Sequence, residues 1–549
     1  MAARSRLHSE NVMTRNVPED RLSDFTADSR LVTLSAMAAL IGVVSAGVAW
    51  ALVRLIGFFT NLAYFHRLDA TLISPAASPL GPWRALIPVA GGVIVGLMAR
   101  YGSERIRGHG IPEALESILI ARSRMDPKVA ILKPLSSALA IGTGGPFGAE
   151  GPIIVTGGAF GSLFGQVFHL SPVERKTLLV AGAAGGMTAI FATPVAAVLL
   201  ALELMLFEWK PRSFIPVACA AAVAGVLRIP LFGPGPLFPV PPHATPTWTP
   251  AAALGLGLAA GLVATGITAL LYRCEDLFAR LPIHWMWWPA IGGVVVGLGG
   301  LLAPRALGVG YDVIRELLDG RLVGTVLLVL LLVKALIWAV GLGSGTSGGL
   351  VAPLLLMGSA LGSLAAQVMH APDVGLWAML GMAALMGGTM QIPITAIVFA
   401  VELTGDMAAL PALLIACVAA AAITVLLMRR SILTEKLARR GRHLSREYGV
   451  NPLSVLRVED VMEPPIAGRT GAGGTNGGVV AYPDELLETA MRKMLEHEAD
   501  ALPVASPEDP TRVVGYVERA AILGAWVQHT RDEATVEEGW LARFRRTPR

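Results

Sequence analysis

The chain's architecture turns on two stretches, KPLSSALAIGTGGPFGAEGPIIVTGGAFGSLFGQVFH at 133–169 and KALIWAVGLGSGTSGGLVAPLLLMGSALGSLAAQVMH at 334–370. Laid over each other without a gap, 201 residues apart, they share Lys133/Lys334, Gly142/Gly343, Gly144/Gly345, Pro152/Pro353, Gly157/Gly358, Gly161/Gly362, Gln166/Gln367 and His169/His370. Upstream, Gly108-His109-Gly110 corresponds to Gly308-Val309-Gly310 at a spacing of 200. Downstream, Pro194–Glu203 corresponds to Pro393–Glu402 at 199, each carboxylate nine residues after its proline. So many glycine, proline and charged matches in register define two related halves, roughly 31–210 and 249–430. The matches alone leave open whether the halves are inverted.

Around the repeat the composition is that of a membrane protein. Of 549 residues 54% are hydrophobic and 15% charged, with mean hydropathy +0.61 and 61 glycines; glycine is frequent where helices pack closely in lipid. Apolar stretches that approach the roughly 20 residues of a bilayer crossing run over 31–59, 85–99, 251–271, 289–302, 323–340 and 410–428. Others, 112–121, 152–167, 194–205, 351–368 and 393–403, are short or interrupted. Each begins at or near a proline suited to a first helical turn. In so apolar a chain they read as broken helices ending inside the membrane, which is tolerated only where the freed backbone lines a protein cavity. The fold class expected is an all-α integral membrane protein. Positive charge gathers at Arg4, Arg6, Arg15, Arg21 and Arg30 and again from Arg429 to Arg442, beside apolar spans. That pattern places both termini in the cytoplasm and does not favour a nucleic-acid partner. Cys219, Cys274 and Cys417 are scattered and suggest neither a disulfide framework nor a metal site. The polar first thirty residues do not read as a secretory signal.

Three glycine-rich loops lead into helix starts: Gly108–Pro112, Gly148–Pro152 and Gly348–Pro353. A helix N-terminus offers unpaired N–H groups and the positive end of its dipole, so several converging on one point hold an anion without a full positive charge. Glycine allows close approach of backbone. Packing alone also explains any single loop, less well all three together. Glu150 is the only acidic residue between Lys133 and Glu174, and a charge in a membrane segment is a functional candidate by default. A carboxylate there can occupy an anion site and block it, and protonation would release it.

These loops, with the segment from Pro393 through Glu402-Leu403-Thr404-Gly405-Asp406, resemble the CLC family of chloride channels and proton-coupled chloride exchangers over about 400 residues. Gly108–Glu113 fits G-x-G-I-P-E, Gly148–Pro152 fits G-x-E-G-P and Gly348–Pro353 fits G-G-x-x-A-P. The resemblance implies inverted repeats with broken helices, and a homodimer with one anion pathway per subunit in a bacterial inner membrane. It implies anion ligands at His109, Gly110, Ile111, Gly148, Ala149, Gly151, Leu350 and Val351, and Glu150 as the gate. Chloride or a similar small anion and protons are then the species handled. Four positions depart from the family pattern. Ala149 stands where arginine is frequent, and His109 where chloride-selective members carry serine. Leu433 stands where many have a tyrosine at the central anion, and Leu204 where well-known exchangers carry an inner proton-transfer glutamate. Leu204 favours a passive channel, whereas the compact, bacterial-looking chain favours an exchanger; the exchanger is the reading adopted.

Lys133 and Lys334 suit either tuning of the anion path or symmetric structural roles. Glu203 and Glu402 suit interhelical hydrogen bonding or a dimer interface better than chemistry. Residues 1–30 form an N-terminal cytoplasmic segment, 31–441 the transmembrane domain and 442–549 a cytoplasmic region. In that region, after a glycine-rich 468–478 stretch, a strand at 479–481, a helix at 484–496, strands at 501–504 and 513–517 and a short helix from 518 are expected. With 458–462 ahead of them, they resemble a single CBS motif, a small α/β unit. Adenine nucleotide is the ligand that resemblance allows, but no residue here argues for it, and no cofactor or metal is expected. An intramembrane enzyme using Glu150 with His109 lacks a nucleophile–base pair or metal-ligand spacing. A carrier of organic solutes does not suit loops that present little besides backbone N–H groups.

Overall fold

The structure, a computed structural model, describes residues 29–168, 170–241, 246–441, 452–464, 479–509 and 512–534. The expectations for residues 1–28, His169 and the 468–478 stretch lie outside them. Helices begin where the chain supplies caps and prolines. Ser171 Oγ accepts from the Glu174 N–H, and the Glu174 carboxylate accepts from the Ser171 N–H, ahead of Pro172. Asp126 caps Lys128 ahead of Pro127.

The first half contains Arg30–Thr60, Ile87–Tyr101, Ile111–Leu119, Pro127–Gly142, Glu150–Val167, Pro172–Phe191, Pro194–Leu200 (prolonged by a wide turn, Ala201–Leu206) and Pro211–Phe232. The second contains Thr249–Ala279, Trp288–Leu302, Tyr311–Leu318, Thr325–Gly343, Val351–Val368, Val374–Met390, Pro393–Thr404 and Leu410–Leu427. The halves thus match helix for helix. Among the described residues eight helical stretches are long and apolar enough to cross a membrane, one of them Val351–Val368, where the sequence reading expects a short or interrupted helix.

Packing repeats as well. The pairs Glu150–Val167/Pro172–Phe191 and Val351–Val368/Val374–Met390 are the most extensive helix contacts. In each a glycine faces a glycine: a Cβ on Gly157 would lie 2.3 Å from Gly182 O, and one on Gly358 2.5 Å from Gly381 O. Small residues let these backbones touch in a setting where apolar burial alone does not drive helices together.

The halves are inverted. The Gly308 loop lines a cavity with Ile56 and Thr60, at the end of the first helix far from Arg30. The Gly108 loop lines a cavity with Ala279, Ile120 and Ala121. Ile120 also lines a groove with Pro172 and Val173, and the neighbouring Glu174 pairs with Arg30 at 2.9 Å. Equivalent loops therefore open on opposite faces.

Glu203 and Glu402 tie the halves together. Glu402 accepts from the N–H groups of Val195 and Ala196 at 3.0 and 2.8 Å, at the start of the helix Pro194–Leu200. Glu203 accepts from the N–H and hydroxyl of Thr395 at 3.3 and 2.5 Å, at the start of Pro393–Thr404. Each carboxylate caps the other half's helix, a stabilising charge–dipole arrangement. Glu402→Ala is expected to lower stability by about 1–2 kcal/mol, as for loss of an N-cap; Glu402→Gln should recover part of it. Thermal melting in detergent checks both.

Beyond the membrane helices lies a small unit. Strands Ala501–Ala505 and Val513–Glu518 pair antiparallel, and Ala481 bridges to Val504 as a single residue rather than the strand expected at 479–481. Helices Leu487–Glu496 and Arg519–Ala534 cover them, the second longer than the short helix expected. Val458, Leu487, Met494, Val504, Val517 and Ile522 form its core. It lies on the Arg30 face, across a groove of about 420 Å³ shared with Arg122, Val173 and Lys176.

Candidate functional site: a carboxylate at the meeting of the two halves

Gly148 and Gly349, equivalent in the repeat, pair with each other. Gly349 N–H donates to Gly148 O at 2.8 Å and Gly148 N–H to Gly349 O at 3.3 Å. This two-residue bridge brings the helix starts at Glu150 and Val351 side by side. The third loop joins them at Gly151, where a Cβ would stand 2.0 Å from His109 O and 3.1 Å from Gly349 Cα. The loops at 108–112, 148–152 and 348–353 therefore do meet.

Glu150 is fully buried and turns its side chain across the bridge. Its Oε1 accepts from the N–H groups of Val351 and Ala352 at 2.5 and 3.2 Å. Its Oε2 has no hydrogen-bond partner among the described residues. The carboxylate occupies the N-terminal end of Val351–Val368, a site suited to an anion by both dipole and free N–H groups. The seat depends on missing side chains. A Cβ on Gly148 would lie 1.9 Å from Oε2, and one on Gly349 2.3 Å from Oε1.

Ile111, Ala149, Leu350 and Val351 are all buried around this point. His109 is 2% exposed, and neither ring nitrogen has a partner among the described residues. Its neighbours take left-handed backbone, Gly108 at φ +80° and Gly110 at φ +94°. Two of the expected ligands have their N–H groups engaged: Gly110 donates to Glu113 Oε2 at 2.9 Å, and Gly148 donates into the bridge. Leu433 and Leu204 are fully buried, so both positions present hydrocarbon. The carboxylate beside Leu204, that of Glu203, is committed to Thr395.

Lys133 and Lys334 hold the loops. Lys133 Nζ donates to Ile106 O and Gly108 O at 2.8 and 2.7 Å, and Lys334 Nζ donates to Ala306 O and Gly308 O, both at 2.9 Å. Of the two roles open to them, the hydrogen bonds describe the structural one.

Two groups at the mouth of the 700 Å³ cavity escaped the sequence reading. Lys436 pairs with Glu113 at 2.8 Å, and the Arg107 guanidinium lies 4.4 Å from the Trp285 ring centre and 5.6 Å from that of Trp288. Lys436 belonged to a basic run read only as a marker of topology, and no spacing rule links Arg107 to tryptophans so distant in sequence.

The family model described as voltage gated chloride channel matches residues 91–425. A voltage-gated ClC-type chloride channel ClcB of Escherichia coli is 30% identical over 392 residues, covering 68% of this chain and 92% of that relative. A putative ClcB-like chloride channel protein of Ralstonia nicotianae is 31% identical over 350 residues, 61% of this chain and 82% of that one. Among solved structures, a slow cyanobacterial Cl−/H+ antiporter matches with TM-score 0.65 and 23% identity, over 75% of this chain and 98% of the other. A CLC-type fluoride/proton antiporter matches with TM-score 0.62 and 22% identity, over 74% and 98%.

Proposed function

This chain belongs to the voltage gated chloride channel (CLC) family and is a multi-pass integral membrane protein, and from that premise we propose that it moves chloride or a similar small anion in exchange for protons, with Glu150 as the gate. The observation that carries this reading is the Glu150 carboxylate seated on the Val351 and Ala352 N–H groups. A charged carboxylate there competes with a permeating anion for the same donors; a protonated one loses most of its claim on them. Anion transport and proton uptake are then linked through one side chain. The anion's ligands are the backbone at Ile111, Ala149–Gly151 and Leu350–Val351, the N–H groups of Gly110 and Gly148 being engaged elsewhere, with the unpartnered ring of His109 as an N–H donor from the inner side.

The transport unit is residues 31–441, working as a homodimer in a bacterial inner membrane; the similar channels are bacterial. Residues 1–30 and 442–549 lie in the cytoplasm, in keeping with Arg430, Lys436, Arg439 and Arg440 gathering around the cavity and helix end on the Arg30 face. The similar proteins named above are channels and antiporters rather than enzymes.

Recording external chloride and pH together during efflux from proteoliposomes tests the reading. Exchange requires protons to be driven against their gradient by chloride. A second reading, a passive channel, draws on Leu204 and Leu433, both buried hydrocarbon, and on the engagement of Glu203 with Thr395. It predicts anion efflux with no accompanying proton movement. Absence of anion flux from folded protein would overturn both readings.

A further inference from the structure

Glu150 Oε2 and Tyr311 Oη are both buried and both without a hydrogen-bond partner among the described residues. Tyr311 opens the helix Tyr311–Leu318 and lines the 180 Å³ cavity on the face opposite the C-terminal unit. Its ring is held by aromatic neighbours: Phe191 and Phe238 lie 6.2 and 6.0 Å away between centroids, and Phe191 lies 5.1 Å from Phe399. The loop before it is pinned to the centre. Gly308 O accepts from Lys334 Nζ, and a Cβ on Gly310 would stand 3.9 Å from that ammonium. Lys334 and Tyr311 both lie within electrostatic reach of Glu150.

A buried hydroxyl with no partner costs about 1–3 kcal/mol, and such groups call for an explanation. The fold does not require it. At the equivalent point of the first half the helix begins with Ile111, which is fully buried and apolar. The hydroxyl is therefore an addition to one side of a symmetric frame, the side away from the C-terminal unit.

We propose that Tyr311 is the outer receiver of the gate: its hydroxyl donates a hydrogen bond to the Glu150 carboxylate when that carboxylate leaves the Val351 and Ala352 N–H groups. The inference rests on Glu150 being the gate. It gives the ionised side chain a second stable position, so the pathway opens without protonation in part of the population. The charged groups around the pair are Lys334, Asp312 and Arg315. Lys334 donates to two carbonyls and Arg315 to Leu237 O at 3.0 Å, and none of the three is hydrogen-bonded to Glu150.

Tyr311→Phe removes the hydroxyl and keeps the ring. Chloride efflux from proteoliposomes is compared at alkaline and acid pH, in the wild type and in Glu150→Ala. A hydrogen bond to a charged group contributes about 1.5–3 kcal/mol, so alkaline efflux is expected to fall about ten-fold while acid efflux is unchanged. In the Glu150→Ala background Tyr311→Phe is expected to be silent. Wild-type alkaline efflux in Tyr311→Phe overturns the proposal, as does an equal loss at every pH that persists without Glu150. If Glu150→Ala itself keeps the wild-type pH dependence, the gate reading fails and this inference with it. If Glu150→Ala abolishes that dependence and Tyr311→Phe changes nothing, this inference alone fails.

Discussion

Glu150→Ala is expected to raise anion efflux at alkaline pH by about ten-fold or more and to make efflux nearly independent of pH. The carboxylate is held by two backbone N–H groups at 2.5 and 3.2 Å in a fully buried seat. Hydrogen bonds to a charged acceptor contribute about 1.5–3 kcal/mol each, from which the cost of burying the charge must be subtracted. A net preference above about 1.4 kcal/mol already corresponds to a ten-fold excess of the blocked over the open state. Acidification removes the charge and with it the preference, so the wild type should open as pH falls. Alanine removes the competitor at every pH, and any proton movement coupled to the anion should stop with it. Gly148→Ala separates the seat from the acid. The nearest atoms to a Cβ there are Oε2, Oε1 and Cδ of Glu150, at 1.9, 2.3 and 2.4 Å. That variant evicts the carboxylate while leaving it in the chain, and it should share the high alkaline efflux. Proteoliposome efflux across a pH series decides the matter; a Glu150→Ala profile that still rises with acid would remove Glu150 from the gate.

The repeat was legible because glycine, proline and charge are sparse enough to be counted, and the structure shows why they recur. Gly148 and Gly349 pair across the two halves, Gly157 and Gly358 each face a glycine, and Lys133 and Lys334 each satisfy two carbonyls. Which half a side chain serves was not legible. Glu203 and Glu402 occupy equivalent places in sequence, but nothing in their spacing says that each caps the opposite half's helix. The apolar stretches read from the sequence also passed over whole helices, among them Pro211–Phe232, which is long and apolar enough to cross a membrane. Pro127–Gly142 carries Lys133, and Pro172–Phe191 opens with Glu174, Arg175 and Lys176, which lower the local apolar signal. Val374–Met390 is buried from Gly375 to Met390 without a break, so it faces protein rather than lipid and need not follow the length rule of a lipid-facing span. Tyr311 escaped because a tyrosine after a glycine carries no signal of its own. What sets it apart is a buried hydroxyl without a hydrogen-bond partner among the described residues, within electrostatic reach of Glu150.

Lys334→Met and Lys133→Met are expected to destabilise the protein by similar amounts, about 2–6 kcal/mol each, from two orphaned carbonyls at about 1–3 kcal/mol apiece. Methionine keeps most of the buried stem and removes the ammonium. Ala306 O and Gly308 O, or Ile106 O and Gly108 O, then lose donors at 2.7–2.9 Å that fully buried lysines had supplied. Part of the loss returns, because the ammonium is no longer held away from water. The loops released are the ones that carry His109 and Tyr311, so the damage reaches both approaches to Glu150. A lysine acting only through its charge on the anion path would behave differently: Lys→Met would change anion efflux while leaving thermal stability in detergent near the wild type. Melting followed by size-exclusion chromatography separates the cases. Matched losses in the two single variants are the expected result, since the two lysines make the same pair of bonds in each half. Unaltered melting in both would return them to a purely electrostatic role.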